Sequence, residues 1–91
     1  MPYIKNEATK DSIDKLMEEV VSAINNPGDL NFAITSLINH FWKDTTSDSY
    51  LSYVAINDII GALECAKAEF YRRVAVPYEE QKMAENGDVY K

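Results

Sequence analysis

Residues 53–85 form one amphipathic run that the rest of the chain is too short to cover. Ile56, Ile59, Ile60, Leu63, Phe70 and Val74 recur at helical spacing through Gly61, and the pattern reaches Pro77 and resumes through YEEQKMAEN. A continuous helix over that run is roughly 50 Å long at 1.5 Å per residue. Pro77 removes one backbone donor and crowds the carbonyl of Arg73, so the run is expected to kink there or to break into two helices. Asn86-Gly87 supplies a stop, leaving residues 86–91 as a C-terminal turn.

Two shorter helices precede it. Over residues 7–25, Ile13, Leu16, Met17, Val20, Val21 and Ile24 share one face. Asn6 is placed to cap this helix, Glu7 suits its first turn, and Asn25-Asn26-Pro27-Gly28 reads as its stop. Over residues 30–43, Leu30, Ile34, Leu37, Ile38 and Phe41 make the stripe, and Phe32, Ala33 and Trp42 widen it. Asp29 is the expected N-cap. The short connection favours an antiparallel hairpin. Residues 44–49 are a polar loop with turn chemistry, and Ser52 is a suitable cap for the third helix. The expected fold is all-α and a single domain over residues 1–91: a helical hairpin plus a long Pro-kinked third helix.

The first helix spans roughly 28 Å and the second less, so the third overshoots both. Its far end carries Val74, Val76, Tyr78, Met83, Val89 and Tyr90, more apolar and aromatic surface than a free tail carries. A chain of 91 residues buries only a small core without help. Cys65 is the only cysteine and His40 the only histidine, so neither a disulfide nor a Cys/His metal cluster can help. Self-association is the remaining device, with Ala62, Ala66 and Ala68 allowing close helix approach, and a helical homo-oligomer is expected.

The net charge of −6 is spread along the chain and argues against binding a DNA or RNA polymer through phosphate neutralisation. MPYIKNEATK lacks the apolar run of a secretory signal, and no apolar run is long enough to cross a membrane. A lone cysteine fits a reducing cytoplasm.

The candidate binding residues gather in the last third. Tyr71-Arg72-Arg73 places two guanidinium forks beside a ring, a combination that suits phosphate or an acidic partner. Glu69, three and four residues earlier, is spaced to hold both arginines in ordinary surface pairs. Tyr78 and Lys82 add a ring and a cation, within a charged face that includes Glu79 and Glu80. The Asn86–Tyr90 turn offers Tyr90 either as a docking anchor or as a pocket wall. No nucleophile–base pair is defensible: His40 has no Ser or Cys partner nearby, and Cys65 reads as a small buried hydrophobe. Three scattered glycines make no phosphate loop. The expectation is therefore a protein that is not an enzyme and uses no cofactor or metal.

MPYIKNE, GDLNFAIT and INDIIGALECAKAEFYRRVAVPYEEQKMAENGDVY together resemble a family of short proteins of bacteriophages and prophage-bearing bacterial genomes. The resemblance covers nearly the whole chain, most closely residues 56–90. It implies phage origin and a place in the host bacterial cytoplasm, and no particular reaction. A looser, class-level analogy is to phage anti-defence sponges, small helical oligomers that sequester immune nucleotides. On that analogy Tyr71, Arg72, Arg73, Tyr78, Lys82 and Tyr90 would bind a cyclic nucleotide or ADP-ribose-type signal where subunits meet. The alternative is a non-enzymatic helical inhibitor or adaptor that binds a host protein through its acidic surface and Trp42. A virion assembly role stands third.

Overall fold

A computed structural model describes residues 2–45 and 53–90, with the side chains of residues 44 and 45 left out. All the regular structure among them is helical, in three runs. Contacts divide the chain into two compact units, one of Tyr3–Ile59 and one built on Ile60–Lys91.

In the first unit, α1 runs over Glu7–Ser22. The Thr9 N–H donates to Asn6 Oδ1 at 3.1 Å, satisfying one of the donors a helix start leaves open. Lys10 Nζ pairs with Glu7 at 2.9 Å one turn on. The helix ends three residues before Asn25. The Ala23 and Ile24 N–H groups turn back to the Val20 and Val21 carbonyls at 3.1 and 3.0 Å, and Ser22 Oγ donates to the Glu19 carbonyl at 2.6 Å. This tightened last turn uses up the final carbonyls and releases the chain at Ala23.

Helix α2, Pro27–Thr45, starts earlier than Asp29. Asn26 is its cap: the Asp29 N–H donates to Asn26 Oδ1 at 2.8 Å. Asp29 sits three residues in and reaches back, its Oδ2 accepting from the Asn25 N–H at 3.0 Å. The reciprocal pair is a capping box displaced by one residue. Pro27-Gly28 is thus the opening turn of α2 and not the stop of α1. Proline has no N–H to lose at a helix start, and its fixed φ is already helical. Helix α2 also extends two residues beyond 43 into the expected polar loop. The rest of that loop and the Ser52 cap lie outside the described residues.

Helix α3 covers Tyr53–Phe70, a π-helical turn covers Tyr71–Ala75, and α4 covers Val76–Asn86. Together they make a third run of 34 residues. The interruption expected at Pro77 takes the form of a widened turn just before it. Phe70, Ala75 and Val76 keep right-handed helical dihedrals, so the chain does not break there. The Val76 N–H bonds to the Tyr71 carbonyl five residues back. A pyrrolidine ring strikes the carbonyl four residues before it, here that of Arg73. Opening the preceding turn moves that oxygen aside, which is the reason a π turn suits this sequence.

No described residue is buried. In Tyr3–Ile59 much of the expected stripes is exposed: Leu16 and Leu37 are each 61% exposed and Phe32 74%. Ile24, Ala33, Ile38, Trp42, Ile56 and Ile59 are half-buried. In the second unit Phe70, Val74, Tyr78 and Met83 are exposed, and among its described residues only Glu69, Ala75 and Val76 are partly covered. Cys65 is exposed, contrary to its reading as a buried small hydrophobe. Its helix presents that face to no other element of its unit closely enough to cover it. No helix among the described residues is long and apolar enough to cross a membrane.

Candidate functional site

All six candidate binding residues lie in the second unit, on the π turn, α4 and the C-terminal turn. The structure engages each of them locally. Arg72 Nη2 and Arg73 Nε both donate to the same oxygen, Glu69 Oε1, the second at 3.2 Å. Glu69 is half-buried at 24% side-chain exposure while the arginines are about two-thirds exposed, at 63% and 64%. A single carboxylate therefore anchors two guanidiniums, leaving a local excess of one positive charge.

Tyr71 turns to α4. The Glu79 carboxylate near its hydroxyl, as a hydrogen-bond acceptor and a negative charge, holds the phenol above its ordinary pKa of 10. Donation to a carboxylate favours the neutral phenol, which sets the direction. Two ordinary helical turns span about seven residues, and the residue added by the π turn brings position i+8 onto the same side. Helical periodicity in the sequence could not reveal this partner, because a uniform period puts Tyr71 over Tyr78. Pro77 was the only signal of a change of register.

Lys82 lies over the Tyr78 ring, 5.6 Å from its centroid, and pairs with Glu85 at 3.8 Å. The ring quadrupole attracts the ammonium, and the aliphatic stem covers part of the phenol. Beyond them the chain turns at Gly87, whose φ of 89° and ψ of 157° are accessible in practice to glycine alone. The Gly87 N–H closes the helix on the Met83 carbonyl at 2.8 Å. The Tyr90 N–H then donates to Asp88 Oδ1 at 2.9 Å, an Asx-type turn.

That turn and α4 enclose an open cleft of about 410 Å³. Val76, Met83, Val89 and Tyr90 give it an apolar floor and wall, and Glu79, Glu80 and Asp88 stand around it. Tyr90 is 87% exposed, so it stands at the cleft edge and is not docked on its own chain. Five of the six residues thus fall into three groups, Tyr71 beside Glu79, the arginines with Glu69, and Tyr78 with Lys82, while Tyr90 lies at the acidic cleft. The cleft was the sequence's candidate pocket, and its three carboxylates give it an acidic rim. Glu79 and Glu69, not singled out for binding in the sequence, organise the neighbourhood.

Elsewhere, His40 Nδ1 is 2.8 Å from the Ser36 carbonyl on its own helix, a local helix contact. Among the described residues no group of three or more His, Cys, Asp or Glu side chains is arranged to hold a metal ion.

Fold and surface together define an all-helical protein whose distinctive groups lie on exposed helix faces. The chain belongs to the family described as a domain of unknown function, DUF6899, whose model matches residues 1–89. No curated protein and no solved structure matches the chain.

Proposed function

We propose that this chain is a non-enzymatic helical adaptor or inhibitor that works by associating with protein, and that it does so as a homo-oligomer. One observation carries the reading: in the single chain large apolar side chains on every helix are exposed and no described residue is buried. A helix in water draws most of its stability from packing an apolar face. Faces such as Leu16–Val21 and Phe32–Leu37 must therefore be covered when the protein is at work. The resemblance of MPYIKNE, GDLNFAIT and residues 56–90 to short phage and prophage proteins is in keeping with a role as an accessory protein acting inside a bacterial host.

Sequestration of a nucleotide-type signal is the second reading, favoured by one feature. Glu69 stands where a phosphate would sit between the two guanidiniums, so an anionic ligand can bind by displacing it. The acidic groups around the cleft at Tyr90 oppose the same ligand.

Isothermal titration of the oligomer against cyclic dinucleotides and ADP-ribose derivatives separates the two. The adaptor reading predicts no heat. It also predicts that Leu16→Asp with Leu37→Asp abolishes capture of a bacterial protein partner, whereas Arg72→Ala leaves it nearly intact. Tight nucleotide binding that Arg72→Ala destroys would overturn the adaptor reading in favour of the second.

A further inference from the structure

The region around Pro77 is charge-asymmetric along its axis. Residues 69–73 carry one carboxylate against two guanidiniums, whereas residues 79–88 carry four carboxylates against one ammonium. Between them lie Val74, Ala75, Val76 and Pro77, a stretch without charge. Arg72, Val76 and Glu80 follow at intervals of four, on one side of the helix, and Val76 and Glu80 line the open cleft on that side. The positive end, the apolar centre and the acidic cleft therefore form one continuous strip.

We propose that this strip pairs antiparallel with the same strip of a second copy of the chain, about a two-fold axis at Val76. The inference rests on the homo-oligomeric reading above and specifies where and how the copies meet. A two-fold axis there places position 76−k of one copy against 76+k of the other, because a two-fold interface is self-complementary. Arg72 then opposes Glu80 of the second copy, twice over by symmetry. The two Val76 side chains meet on the axis. Each guanidinium enters the other copy's cleft, between carboxylates that have no cation in it, with the Tyr90 ring available for stacking. Glu69 keeps its hold on the same arginines and fixes them for the encounter. Parallel pairing sets acidic end against acidic end, so the charges select the antiparallel arrangement as well as the partner.

A reciprocal charge exchange tests the pairing. One variant carries Arg72→Glu, the other Glu80→Arg, and sedimentation velocity reads the association of each. The proposal predicts that each variant alone self-associates about tenfold or more weakly than wild type, and that an equimolar mixture recovers a complex. Wild-type association in both variants would overturn the pairing while leaving the oligomeric reading intact. A monomeric wild type would defeat that reading itself. Should a charge variant fail to fold, cross-linking decides: with Cys65→Ser, Val76→Cys should give a dimer with a short bismaleimide and Phe32→Cys should not. Absence of a dimer through position 76 in an associating protein would equally overturn the pairing.

Discussion

Tyr71 and Glu79 are eight residues apart across the π turn, and the Glu79 carboxylate raises the pKa of the Tyr71 phenol. Replacing Glu79 with Gln should lower the Tyr71 pKa toward its ordinary value, read as a shift in the ultraviolet tyrosinate titration after subtracting a Tyr71→Phe control. The folded-state pKa is raised, so the stabilisation from this interaction is complete below pH 10 and fades as pH rises through the higher folded value. Thermal melts of wild type and Glu79→Gln should therefore differ at pH 8 and converge in strong alkali.

Pro77→Ala should restore an ordinary α-helical turn. Alanine supplies the missing N–H and removes the ring that Arg73's carbonyl must avoid, so the helix gains up to about 3 kcal/mol. The register shift then disappears, and Tyr71 loses Glu79 as a partner. The same titration should show Tyr71 near its ordinary value in a protein that melts higher than wild type.

The two capping residues should be costly to remove. Asn26→Ala is expected to destabilise by about 1 kcal/mol, because it releases the Asp29 N–H and breaks the reciprocal pair at the start of α2. Gly87→Ala forces a side chain into backbone space that only glycine occupies readily, costing about 1–3 kcal/mol. Open space around its Cβ position rules out a clash as the cause. Denaturant melts give both magnitudes. Hydrogen exchange should place the Gly87 effect at the Met83 end of α4.

Glu69→Gln should cost little, about 0.5–1 kcal/mol, since both arginine partners are largely exposed and screened by water. Its larger effect is on binding. With the carboxylate gone, the two guanidiniums lose their shared negative partner, and affinity for inorganic phosphate should rise. Titration of wild type and Glu69→Gln with phosphate measures the change. No binding by either protein would close the nucleotide reading.

Much of the fold was legible because it depends on local signals. Asn6 caps α1, Asn86-Gly87 ends α4, and the apolar stripes mark three helical runs. The connection between α1 and α2 was misassigned because Pro27-Gly28 has two local meanings, a stop for the preceding helix and a start for the next. The Asn25–Asp29 hydrogen bonds decide for the start. Pro77 announced a disturbance without saying which kind, since kink, break and π turn all relieve the same clash. In the candidate site, the Glu69 pairing follows from i+3 and i+4 spacing and could be read directly. Glu79 could not, since its meeting with Tyr71 depends on one extra residue in a turn.

The central claim is that this chain covers its apolar helix faces by association with further copies. Light scattering on the purified, untagged protein, with thermal melts across a range of concentrations, tests it most directly. The account predicts a mass that is a multiple of 10.3 kDa and a melting temperature that rises with protein concentration. A 10.3 kDa monomer with a cooperative melt independent of concentration would contradict it.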